Sequence, residues 1–183
     1  TNDVTTSQTI TIGSGGGTIE VNSGKTLTMS TGIKSGATGS VLTKTGAGSL
    51  TLGSGNNISK LVIKSGAVNA IVSDGINQLP STVVFEGGTL YDSNSEYMPG
   101  NTNSANYVVE EGQSGTLYCD PRCDYTGKLT GAGTFTVYAA GVRNYFKGNW
   151  SSFEGTLVPG LSKRGSYDPS FDWSNTYGLP NAT

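Results

Sequence analysis

The sequence predicts an all-β protein built as a parallel β-helix, a solenoid of short strands, with a β-sandwich as the alternative. Three observations predict it. Gly, Ser, Thr and Asn make up 88 of the 183 residues, and Gly and Asn are poor helix formers whereas Thr favours strands. Short runs of alternating apolar residues recur along the chain, each bounded by Gly, Ser or Asn. These runs also resemble one another, and self-similarity at a short period marks a solenoid. In a β-solenoid each turn buries its inward side chains on the turns about 4.8 Å above and below. Short strands without that likeness read as a sandwich or a barrel.

The runs follow in order. GGTIEV (16–21), GKTLTM (24–29), GAGSLTL (46–52) and ISKLVI (58–63) come first. STVVFEGGTLYD (81–92), SGTLY (114–118), GAGTFTV (131–137) and EGTLV (154–158) complete the series. Each supports a strand of a few residues, with the apolar positions facing one side. No stretch keeps a helical period beyond a turn or two. Val, Ile and Leu recur throughout, which argues against disorder despite the polar composition.

Length predicts one domain over residues 1–183, with a modest core. It divides into aliphatic rungs (1–84), aromatic-rich rungs (85–160) and a C-terminal cap (161–183). Net charge is −2 with 13% charged residues and no basic run, so no nucleic-acid partner is expected. Nothing approaches a membrane-spanning length, and no membrane insertion is expected. The sequence begins without Met and shows no signal-peptide pattern, so it reads as a mature or excised module. Its Thr/Ser/Asn-rich, Lys-poor surface points to an extracellular setting.

Cys119 and Cys123 are the only cysteines, and there is no His. That makes a poor zinc site, since tetrahedral zinc takes four ligands, and no metal or cofactor is expected. A short-loop disulfide with Asp120 and Pro121 in the turn is the favoured reading, and two reduced thiols the alternative. Such a staple would contribute only about 2 kcal/mol but would hold the loop in shape.

KTGAGSLTLGSGNNISKLVIKSGAV (44–68) resembles the autotransporter-associated β-strand repeat, whose phrase is K-x-G-x-G-x-L-x-L, a polar loop and a second strand. GAGTFTVYAAGVRNYFKGNWSSFEGTL (131–157) is similar to a form found in secreted bacterial proteins that degrade plant polysaccharides. The resemblance covers roughly residues 44–90 and 128–158. It implies a right-handed parallel β-helix and a secreted or cell-surface bacterial protein. It leaves function open, because such repeats occur in adhesins, lyases and binding modules.

All sixteen aromatic residues lie between Phe85 and Tyr177, so a binding site belongs to the second half. Alternation turns Leu90, Leu117, Phe135 and Val137 inward and Tyr91, Tyr118 and Tyr138 outward. If those strands stack in neighbouring turns, the tyrosines form an outward ladder with a spacing close to one sugar residue. Aromatic faces suit the apolar faces of pyranose rings, and Tyr adds a hydroxyl at low entropic cost. The alternative is a ladder that only covers the solenoid.

The segment TLYCDPRCDY (116–125) stands apart in chemistry. It reads as a strand that leaves the turn at Cys119 into a stapled loop beside the ladder. Tyr118 and Tyr125 would offer stacking faces, and Asp120, Arg122 and Asp124 hydrogen bonds to sugar hydroxyls. A preorganised loop binds at lower entropic cost. Arg143 and Tyr145 are candidates for the same face. Trp150 and Phe153 read as structural, and Trp173 as part of the cap.

Hydrolysis of a glycosidic bond needs two facing carboxyls. Asp120 with Asp124, and Asp168 with Asp172, are the available pairs, and neither makes a convincing constellation. The expected function is therefore a non-catalytic carbohydrate-binding module for xylan or a related hemicellulose, carried beside a catalytic domain in a larger protein. A structural or adhesive solenoid spacer is the second reading, and a polysaccharide lyase or hydrolase fragment the third.

Overall fold

A computed structural model describes residues 2–53, 55–72, 79–94, 102–120, 122–140, 143–161 and 171–172. Its first strands are β1 (Val4–Thr6), β2 (Ile10–Ile12), β3 (Gly17–Glu20), β4 (Thr26–Met29), β5 (Ile33–Ser35), β6 (Val41–Thr45) and β7 (Ser49–Leu52). Next come β8 (Lys60–Ile63), β9 (Ala67–Val72), β10 (Thr82–Phe85), β11 (Thr89–Asn94), β12 (Thr102–Asn103), β13 (Asn106–Val108) and β14 (Ser114–Cys119). The last are β15 (Cys123–Tyr125), β16 (Leu129–Thr130), β17 (Thr134–Ala139), β18 (Asn144–Phe146), β19 (Thr156–Leu161) and β20 (Phe171–Asp172).

The strands pair in parallel and stack in about six turns, which makes the chain a β-solenoid. The long sheet runs β1-β4-β7-β9-β11-β14-β17-β19. A second sheet runs β3-β6-β8-β10-β13-β16, a third β12-β15-β18-β20, and β2 pairs with β5. No described residue is helical. The β-sandwich alternative is excluded, because strands consecutive in sequence lie in different sheets and each pairs with its counterpart one turn away.

The register lines up like residues. On the inner side of the long sheet Leu27, Leu50, Val68, Leu90, Leu117 and Val137 form one column. From Leu50 onward this column is fully buried. The second sheet supplies Leu42, Leu61, Val83, Tyr107 and Leu129 in the same manner. Each buried Leu or Val contributes about 1.5–3 kcal/mol by leaving water. Where neighbouring turns come closest, only the smallest residues fit. Gly66, at φ +67°, has no space for a side chain against the carbonyls of Gly46 and Gly48 in the turn below.

One inner position is charged. Lys44 is fully buried, in a column with Ile63 and Phe85. Its ammonium donates to the carbonyls of Thr45 and Gly46, both at 2.8 Å, and of Ser65 at 3.3 Å. The lysine that opens the repeat-like phrase thus clamps the corner shared by two turns. Burial pushes its pKa down, while the carbonyls favour the charged form.

In the later turns the interior becomes aromatic. Phe85, Tyr107 and Phe135 contact one another with ring centroids 5.4–6.2 Å apart. Trp150 meets Phe135 and Phe146 edge-on and donates its indole N–H to the Gly127 carbonyl at 3.1 Å. Trp150 and Phe153 are fully buried. Trp173, placed in a cap by sequence, lies outside the described residues.

Candidate functional site

On the outer side of the long sheet one column changes character along the solenoid. It begins Thr5, Thr28, Thr51, Asn69 and continues Tyr91, Tyr118, Tyr138, Gly160. The three tyrosines thus occupy equivalent places in adjacent turns. Tyr91 and Tyr118 have ring centroids 5.2 Å apart at a 43° tilt. Tyr118 and Tyr138 are 6.0 Å apart at 42°. Turns spaced about 4.8 Å apart leave too little width for coplanar rings, and tilting resolves the crowding. Tyr138 is the most open, at 38% exposed. Its ring lies over Gly160, where a Cβ would come within 2.5 Å of Cε1. Glycine in the next turn therefore gives this ring its seat.

Beside the tyrosines runs a column of half-buried hydroxyls, Thr89, Thr116 and Thr136. Sequence reasoning passed over them. The signal was present in TLY (89–91), TLY (116–118) and TVY (136–138), where period-two alternation puts Thr and Tyr on the same outer face. Stacking surface and hydroxyl groups therefore run in parallel along the solenoid axis.

TLYCDPRCDY divides differently from the expectation. Its described residues hold the end of β14 and the whole of β15, so Cys123, Asp124 and Tyr125 belong to a second strand. Tyr118 points out from β14. Cys123 and Tyr125 point in from β15, and Asp124 between them points out. Tyr125 is fully buried and stacks on Phe146 at 5.0 Å and 12°, so it offers no face to a ligand. The pleat decides this: in C-D-Y the first and third residues share a side.

The disulfide expectation is also corrected. Cys119 and Cys123 are free thiols, both buried. Each fills the inward position of its own strand, on different sheets. Burial pushes both thiols well above their ordinary pKa, which makes them weak nucleophiles.

The remaining candidates fall in two places. Asp120, Arg122 and Arg143 lie at the corner between the long and third sheets, directly after the tyrosine strands. There the Asp120 N–H donates to the Asp92 carbonyl at 3.0 Å and the Ala140 N–H to the Cys119 carbonyl at 2.8 Å. Pro121 lies outside the described residues. Asp124 and Tyr145 face outward from the third sheet, in one column with Thr102 and Asp172. Lys147 pairs with Asp124 at 2.6 Å and sits 5.2 Å from the Tyr145 ring centroid. The predicted set is therefore a ladder on one face, a corner, and a polar pair on the next face.

The corner also differs on its inner side. Asp92 occupies an inward column in which Met29, Leu52 and Ala70 precede it and Cys119 and Ala139 follow. It is fully buried. Asn103 donates Nδ2 to Asp92 Oδ2 at 2.8 Å and accepts the Ala105 N–H at 3.1 Å. Asp92 Oδ1 and the hydroxyls of Tyr107 and Tyr125 have no hydrogen-bond partner among the described residues. Burial raises the Asp92 pKa, opposed by the hydrogen bond from Asn103. Among the described residues no group of three or more Cys, Asp or Glu side chains could hold a metal ion.

Of the acid pairs, Asp168 lies outside the described residues. Asp120 and Asp124 fall on either side of a corner, with Asp124 held by Lys147. Comparison with family models, curated proteins and solved structures found no match.

Proposed function

We propose that the chain is a non-catalytic carbohydrate-binding module, secreted by a bacterium, that lays a plant cell-wall polysaccharide of the xylan or related hemicellulose type along its long sheet. Support comes from one observation above all: Tyr91, Tyr118 and Tyr138 lie in register in adjacent turns on an outer face. Their rings repeat along the axis at 5.2 and 6.0 Å, so successive sugars of an extended chain meet successive rings. Thr89, Thr116 and Thr136 add hydroxyl contacts alongside. In this reading the module serves an attached catalytic domain in a larger protein by holding it at its substrate.

A structural or adhesive spacer is the second reading. The aromatic-free early turns, where the same outer column is Thr5, Thr28, Thr51 and Asn69, favour it. Native affinity electrophoresis separates the two. Xylan, arabinoxylan, glucomannan, mixed-linkage glucan, cellulose and polygalacturonate form the panel, with Tyr118→Ala beside the wild type. Retardation by a hemicellulose, lost in the variant, is the expected result. Unretarded migration in every polymer would leave the spacer.

A further inference from the structure

We propose that the tyrosine ladder recognises the interior of an uncharged linear glycan, so that several copies sit along one chain and chain ends play no part in recognition. This rests on the carbohydrate-binding reading and names the part of the polymer that the same site takes.

Three rings in one column hold a glycan along the solenoid axis, so what lies beyond the first and last ring decides whether the glycan continues. Register places Asn69 before Tyr91 and Gly160 after Tyr138. Thr51 comes before Asn69. In the neighbouring outward column Ala67 precedes Thr89 and Val158 follows Thr136. All five are shorter than tyrosine, so the rings stand above the sheet surface at both ends of the ladder. A site that selects chain ends needs a bulky group across its last subsite to reject the next sugar. The strands of the long sheet offer none among the described residues, and a polymer passes over Asn69 at one end and Gly160 at the other.

A second observation concerns charge. The eight strands of the long sheet hold one charged residue, Asp92, which faces inward and is fully buried. The outer face of these strands is therefore free of Asp, Glu, Lys and Arg, whereas the next face carries the Asp124–Lys147 pair. A polyuronate brings a carboxylate on every sugar, and each would lose solvation here without gaining a cationic partner. An uncharged backbone gives up only hydroxyl solvation, for which Thr89, Thr116 and Thr136 offer partners. Eight strands at about 4.8 Å spacing make one copy cover roughly eight sugars, although only three of them meet a ring. Neighbouring copies on one chain stand at least that far apart.

Titration calorimetry tests this with two probes: a short and a long fraction of linear, unbranched xylan, each of known chain length. The expected result is that the number of copies bound per chain rises in proportion to its length, reaching no more than about one copy per eight sugars. Affinity per site should hold level as salt is raised, because no charge pair forms. The variant Tyr91→Ala/Tyr138→Ala, shown by thermal melting to be folded, should lose binding to both fractions. A fixed number of copies per chain, whatever its length, overturns the inference and leaves the binding reading standing. An affinity that falls about tenfold with added salt overturns the uncharged contact surface. Wild-type stoichiometry retained in the folded variant overturns the assignment to the ladder. Failure of the folded wild type to bind either fraction overturns the binding reading itself.

Discussion

Replacing Asp92 by Asn is expected to stabilise the protein at neutral pH. The carboxyl is fully buried. One oxygen accepts from Asn103 at 2.8 Å, and the other has no partner among the described residues. Burial raises its pKa above the ordinary 3.8. A raised carboxyl pKa in the folded state means that the stabilising form is the neutral one. Stability is then complete below the unfolded-state pKa and is lost as pH rises through the folded-state value. The flanking groups Tyr107, Tyr125, Cys119 and Cys123 are all pushed upward, so they stay neutral across this window. Asparagine keeps the shape, can still accept from Asn103, and carries no charge at any pH.

The gain at about pH 7 comes from removing the buried charge and should be on the order of 1–3 kcal/mol. In a chain of this size each kcal/mol moves Tm by about 2–4 °C. Thermal melts followed by circular dichroism, run for both proteins at about pH 3 and about pH 7, read this directly. The two melting temperatures should nearly coincide in acid and separate at neutrality, with Asp92→Asn higher. A variant less stable than wild type at neutrality would refute the reasoning, because it would mean that the buried charge is itself a stabilising partner.

Two further perturbations follow from single residues. Lys44→Met keeps most of the side-chain volume and leaves the carbonyls of Thr45, Gly46 and Ser65 without their common donor. It should cost about 1–3 kcal/mol in urea unfolding, and an unchanged midpoint would contradict the clamp described above. Gly160→Val leaves the core untouched but forces the Tyr138 ring off its seat, since a Cβ would lie 2.5 Å from the ring. Losing one aromatic contact should weaken hemicellulose binding by about three- to tenfold with little change in Tm; undiminished binding would remove Tyr138 from the site.

Period-two alternation carried much of this structure in the sequence. It gave the strands from GGTIEV to EGTLV, and it gave the outward parity of Tyr91, Tyr118 and Tyr138. Self-similarity then separated solenoid from sandwich, because identical strands can stack in register. The same rule applied to CDY would have turned Tyr125 inward, but the cysteines and proline around it read as a loop and hid a three-residue strand. Asp92 shares parity with Leu90, yet a carboxylate at an inward position reads as a strand end, since a buried charge opposes every compositional expectation. The burial of Lys44 was hidden for the same reason. Its carbonyl partners include Ser65, twenty-one residues away, and only the stacking of turns brings that group near. The turns also differ in length, with 18 residues from Leu50 to Val68 but 27 from Leu90 to Leu117. No fixed period could therefore place Asp124 and Tyr145 on a different face from the ladder.

The most direct test of the central claim is calorimetric titration with linear xylo-oligosaccharides of increasing length. A ladder of three rings 5.2 and 6.0 Å apart predicts affinity that climbs until the oligosaccharide spans all three rings, then levels, ending at micromolar strength or weaker, roughly −8 kcal/mol or less in magnitude. Binding that is independent of length, or absent at every length, would contradict a glycan lying along the tyrosines.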